Sequence, residues 1–146
     1  QTLSKAWGLA GLRLGMAFAS EAIIDILDKV KPPYNINTAT QELVLKALEE
    51  VGQVNDMIKI IVDMREALAN VFRKMPTVEK VYPSDANFLL VKIADARAVY
   101  DFLLTQQIVV RDRSSVELCE NCLRITIGTE KENTLLVDAM QAWYNR

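Results

Sequence analysis

Apolar residues recur along this chain in two rhythms, and the change between them divides it. Across residues 52–75 the apolar positions Val54, Met57, Ile58, Ile61, Met64, Leu68, Val71 and Phe72 return every three or four residues. That spacing predicts one long helix with an apolar face, ended by Pro76 and covered as core rather than as a coiled-coil seam. Two shorter helices are expected before it. Ser20 reads as the N-cap of a helix through Lys31, with Ile23, Ile24, Leu27 and Val30 on one face. Lys29 and Lys31 suit its negative end, and Pro32-Pro33 stops it. Thr38 and Gln41 have capping-box spacing for a helix to about Glu49. Residues 14–19 read as a turn into a short buried strand.

After Pro76 the rhythm shortens to two. Val78 to Tyr82 and Asn87 to Ile93 are expected as strands around a Pro83-Ser84-Asp85 turn. Asp95 should cap a helix through about Gln106. Ile108-Val109-Val110 and Cys122 to Ile127 read as two more strands. Thr129 with Glu132 forms a capping box for a last helix, with Leu135, Leu136, Ala139, Met140 and Trp143 turned inward. The expected class is α+β, with residues 51–146 as a two-layer domain, a small sheet with helices on one face, and residues 1–50 as a separate preceding part.

Composition narrows the function classes. The 146 residues are 51% apolar and 25% charged, as in a globular protein with a proper core. A net charge of −2 gives no reason to expect a nucleic acid or an anionic membrane as partner. No apolar run approaches the ~20 residues of a membrane span, and no secretory signal opens the chain, so the default location is cytoplasmic. There is no His, which removes His bases and His metal sites together. Cys119-Glu-Asn-Cys122 has neither a second Cys pair nor a His to complete a zinc site, and it enters a strand rather than opening a helix. Two free thiols and no metal are expected. The chain lacks an initiator Met and begins just before a dense motif, which suggests a segment of a longer polypeptide.

That motif carries the chemistry. Residues 2–15 read Thr-Leu-Ser-Lys-Ala-Trp-Gly-Leu-Ala-Gly-Leu-Arg-Leu-Gly. A bare Ser-Lys would mark only a surface lysine. Ser-Lys followed by Gly-Leu-Ala-Gly-Leu-Arg-x-Gly resembles the lysine motif of the aspartate-aminotransferase superfamily of pyridoxal-phosphate enzymes. The residue types suit the chemistry. A primary amine condenses with the cofactor aldehyde and carries a proton to and from the substrate carbon. Hydroxyls at Thr2 and Ser4 and the guanidinium fork of Arg13 suit a phosphate. The glycines do not form a nucleotide-phosphate loop, because no Gly-Lys-Ser/Thr accompanies them. The resemblance therefore implies Lys5 as the catalytic lysine, Thr2, Ser4, Lys5 and Arg13 as cofactor-binding residues, and pyridoxal 5'-phosphate as cofactor. Binding by this segment alone is expected to be absent or weak.

Three later stretches are similar to the same superfamily in order and spacing. Cys122-Leu-Arg-Ile-Thr-Ile-Gly-Thr129 resembles its strand whose arginine grips a substrate carboxylate, which singles out Arg124. Gln107-Ile-Val-Val-Arg111 resembles its "G-I-I-V-R" segment, with Gln in place of Gly. Asn87-Phe-Leu-Leu resembles a stretch that opens a strand of the small domain. Among these enzymes the set is most similar to the histidinol-phosphate aminotransferases, where the arginine matching Arg111 helps bind the substrate phosphate. Histidinol phosphate has no α-carboxylate, so two arginines suit its phosphate and the carboxylate of the second substrate, glutamate. Arg111, Arg124 and Asn87 are thus implied as substrate-binding residues.

The resemblance also implies an organisation. Residues 1–50 would be the last strand and helices of a fold type I large domain, and 51–146 its small C-terminal domain. Other cofactor-binding residues lie upstream of the lysine in this superfamily, so the segment alone should be inactive. The intact enzyme should be a homodimer acting on small molecules. The apolar strand and helices of residues 1–50 lead us to expect self-association of the isolated segment. The alternatives are another aminotransferase, a phosphothreonine-type decarboxylase, or a non-catalytic α+β ligand-binding module.

Overall fold

The computed structural model describes residues 1–146, which form two compact units, Gln1–Ile58 and Lys59–Arg146. The first holds a closed loop and two helices, α1 (Glu21–Val30) and α2 (Thr38–Glu49), and the start of the long helix α3 (Val51–Phe72). The loop is tied at its ends. Met16 N–H donates to the Gln1 carbonyl at 2.9 Å and Leu3 N–H to that of Leu14 at 3.3 Å, around a single bridge between Thr2 and Gly15. A side chain at Gly15 would meet the Gln1 carbonyl at 3.1 Å, so the glycine permits this closure.

The strand expected over residues 14–19 does not form. Residues 17–20 have no regular structure, because a strand exists only by pairing and this chain brings no backbone beside them beyond the bridge. α1 begins after Ser20 as expected, but the Ser20 hydroxyl makes no cap bond. The expected Thr38–Gln41 capping box is also replaced. Asn37 occupies the N-cap and accepts from Thr40 N–H at 2.8 Å, one residue earlier, and Asn is among the strongest caps. Leu3, Thr40, Val44 and Val54 are the buried residues of this unit, whereas Phe18, Ile26, Val30 and Leu45 stand exposed. None of α1 is buried, although its apolar residues share a face.

The second unit is a sheet with helices on one face. Its strands are β1 (Val78–Val81), β2 (Phe88–Ile93), β3 (Arg111–Asp112) and β4 (Cys122–Thr126), in the order β1-β2-β4-β3 with every pair antiparallel. The helices α4 (Ala96–Thr105) and α5 (Glu130–Tyr144) complete it with the end of α3. Period-two alternation sends Leu89, Val91 and Ile93 of β2 and Leu123 and Ile125 of β4 into the core. There they meet Leu68, Ala69 and Phe72 of α3, Val99, Phe102 and Leu103 of α4, and Leu136, Ala139 and Met140 of α5. The opposite face, carrying Phe88, Leu90 and Arg124, has no helix over it in this unit.

Both expected caps here are present. Asp95 accepts from Ala98 N–H at 3.4 Å, and Thr129 and Glu132 make the reciprocal capping box. Other details differ. α3 ends at Phe72, because Lys74 and Met75 N–H reach back only three residues before Pro76. Met57 and Val71 on its apolar stripe are exposed. Leu135 of α5 is 52% exposed, since Leu136, Ala139, Met140 and Trp143 make the inward stripe and Leu135 sits one position round from it. The strand expected at Ile108–Val110 pairs only from Arg111 onward. Gln107 closes α4 at φ 61°, and residues 108–110 carry the chain from there back to the sheet edge. A glycine would take that left-handed conformation without a Cβ penalty, so Gln stands where the similar family segment has the easier residue.

Candidate active site

In the first unit the loop carries the hydroxyls and cations that its sequence suggested, and it brings Thr2 and Ser4 into contact. Thr2 Oγ1 donates to Ser4 Oγ at 2.8 Å and accepts from Ser4 N–H at 3.1 Å, so the two hydroxyls stand side by side. The Lys5 carbonyl accepts from Gly8 N–H at 2.9 Å in a tight turn, with Gly8 at φ 66°. This turn leaves the Lys5 amine exposed, and no carboxylate forms an ion pair with it. A 3-10 turn over Ala10–Leu12 delivers Arg13, which adopts a left-handed backbone with φ 54° and donates from Nη1 to the Ala10 carbonyl at 3.1 Å. Its remaining donors are unpaired with any acid. A free amine, two adjacent hydroxyls and an unpaired guanidinium in one loop are the donor set that an aldehyde bearing a phosphate requires, so these residues fit pyridoxal phosphate.

In the second unit Arg124 and Arg111 are Cα partners across β4 and β3, and directly opposite residues share a face. That is the open face, away from the helices. The Arg124 guanidinium lies over the Phe88 ring, 5.1 Å from its centroid, and its buried Nε has no hydrogen-bond partner within the chain. Burial, then repulsion from Arg113 and Arg111, pulls the Arg124 pKa below the usual guanidinium value. Neither Arg111 nor Arg124 forms an ion pair. A half-buried cation with an orphaned donor is a costly arrangement unless an anion completes it. Asn87 lies just before β2, where its carbonyl accepts from Ile127 N–H at 2.9 Å. It is joined to the end of β4 rather than to the arginine pair.

Residues 1–140 match the family model for aminotransferase class I and II. The chain belongs to this family. It is 50% identical over 143 residues to a histidinol-phosphate aminotransferase of Cytophaga hutchinsonii, a match that covers 98% of this chain and 41% of that protein. The structure superposes on the histidinol-phosphate aminotransferase of Clostridium acetobutylicum with a TM-score of 0.90 at 23% identity, covering 99% of this chain and 44% of that one. It is also similar to the histidinol-phosphate aminotransferase of Sinorhizobium meliloti in complex with pyridoxal-5'-phosphate, with a TM-score of 0.80 at 23% identity over 97% of this chain and 40% of that one. The chain thus spans about two fifths of the length of the relatives it matches.

One aminotransferase residue near the pair was not singled out by the motifs. Arg113 N–H donates to the Cys122 carbonyl at 2.8 Å, so the β3–β4 ladder continues past Asp112. The signal was present as Arg-x-Arg at strand spacing, two residues apart and therefore on one face.

Cys119 is half-buried and Cys122 buried, and both are free thiols. Burial, with repulsion from Cys119 second, pushes the Cys122 thiol pKa up, which keeps it protonated and slow to react. Thiol titration of the native protein should show one fast group, with the second released on denaturation. Two equally fast groups would contradict the burial of Cys122.

Proposed function

We propose that the protein to which this chain belongs transfers an amino group between histidinol phosphate and 2-oxoglutarate, giving imidazole acetol phosphate and glutamate, in histidine biosynthesis. The observation that carries this is the facing pair Arg111 and Arg124, two guanidiniums on the open sheet face without a carboxylate partner. Histidinol phosphate offers a phosphate and no α-carboxylate, and glutamate offers carboxylates. Two adjacent guanidinium forks accept either anion. The identity of about one half to relatives named for this activity supports the same substrate.

Pyridoxal phosphate, when bound, supplies the electron sink for breaking the bond to the substrate's α-hydrogen. Lys5 would hold it through the amine and would carry the proton at the substrate carbon. Thr2, Ser4 and Arg13 would hold its phosphate, and Arg124 would orient the substrate anion, with Arg111 taking the phosphate end. Asn87 serves as a further contact at the start of β2. In this reading residues 1–50 belong to the large cofactor-binding domain and 51–146 to the small domain, of a cytoplasmic homodimer. No helix is long and apolar enough to cross a membrane. The exposed apolar residues of the first unit are consistent with a surface that the assembled enzyme covers.

The test is amino transfer to 2-oxoglutarate by the full-length protein. Histidinol phosphate is expected to exceed aspartate and phenylalanine as donor by at least about tenfold in kcat/KM. No transfer from histidinol phosphate overturns the proposal.

A further inference from the structure

Arg113 extends the cation row of the open face. The register pairs Arg111 with Arg124 and Asp112 with Leu123, and the Arg113 N–H bond to the Cys122 carbonyl carries the same register one step on. Arg111 and Arg113 are two residues apart along one strand direction, so they point to the same side as Arg124. Asp112 lies between them in sequence and points to the other side. Its carboxylate accepts from Ser114 N–H at 2.9 Å and lies 3.9 Å from Arg97 Nη1. The one acid adjacent in sequence to both arginines is therefore engaged elsewhere. Glu117 and Glu120, on the loop between β3 and β4, form no ion pair with the cluster. Three guanidiniums are left together without a counter-charge, and Arg113 repels the Arg124 cation more than Arg111 does.

We infer that Arg113 is a specificity-determining residue, supplying the third positive charge that favours a phosphate dianion over a carboxylate at this face. The inference rests on the reading of Arg111 and Arg124 as anion-binding residues. A carboxylate brings one negative charge to three clustered cations, whereas a phosphate monoester above its second ionisation brings two and a third acceptor oxygen. The added attraction is largest where the site is partly shielded from water, as the buried Arg124 Nε shows this one to be.

The test uses the full-length holoenzyme with Arg113→Gln and Arg113→Lys, and thermal melts to confirm folding. Two readouts are taken: KM and kcat for histidinol phosphate and for glutamate, and inhibition of the glutamate half-reaction by inorganic phosphate. Arg113→Gln is expected to raise KM for the phosphorylated donor and the phosphate inhibition constant by about tenfold, the scale of one charge-assisted contact, and to affect glutamate by about twofold or less. Arg113→Lys should recover most of the loss. The advantage of the native enzyme over Arg113→Gln should grow as pH rises through about 6, where the dianion forms. Equal losses toward both substrates, or phosphate inhibition indifferent to Arg113, overturn the inference. If the native enzyme does not use histidinol phosphate, the proposed function fails by that result, and phosphate inhibition still decides the role of Arg113.

Discussion

Lys5→Ala in the full-length enzyme is expected to lower the rate of amino transfer by on the order of 10⁴-fold, the upper range for loss of a proton-transfer group. Lys5 is the sole lysine of the loop Gln1–Gly15, and its amine projects free of any ion pair. Alanine removes both the covalent attachment point and the proton carrier, so no neighbour in the loop can substitute. Lys5→Arg separates amine chemistry from charge, because it keeps the cation but cannot condense with an aldehyde. It should be as inactive as the alanine variant. Borohydride treatment with pyridoxal phosphate should add the cofactor mass to the peptide holding Lys5 in the native protein and in neither variant. Activity of Lys5→Ala within about tenfold of native would remove Lys5 from the reaction.

Arg124→Ala should cost both half-reactions roughly ten- to a hundredfold in kcat/KM, the loss of one charge-assisted hydrogen-bonded contact. Its guanidinium is held over Phe88, with a buried Nε that nothing in the chain satisfies, and under the proposed function a substrate anion would be its partner. Arg124→Lys should recover only part of the loss, since a point charge reproduces neither the fork nor the stacking on the ring. Arg111→Ala should weaken histidinol phosphate more than glutamate. Half-reaction rates measured separately for the three variants decide the matter. An intact glutamate half-reaction in Arg124→Ala would mean that the Phe88 contact is structural and the anion lies elsewhere.

Much of the second unit was legible along the chain. The Thr129–Glu132 box, the Asp95 cap and the alternation of Phe88–Ile93 each depend on residues within a few positions of one another, and each is present. Thr2, Ser4, Lys5 and Arg13 fall in one loop for the same reason, because they lie within a short stretch of chain. One error was local, since Asn37 rather than Thr38 caps α2, and the others fall where a partner distant in sequence decides. Leu135, Met57 and Val71 have the right residue type for burial, yet no element covers them. The stretch at 14–19 has strand-forming residues and no strand to pair with.

The helix boundaries, to within a few residues, and the alternation of the strands could be read along the chain, because each arises from neighbours a turn or less apart. The tertiary structure alone decided that β3 pairs with β4 so that Arg111, Arg113 and Arg124 share one open face, and that Asp112 between them turns to Arg97 instead. Residues more than ten positions apart come together only through strand register, and that register is set by the burial of Leu89, Val91, Leu123 and Ile125 on the opposite face of the sheet.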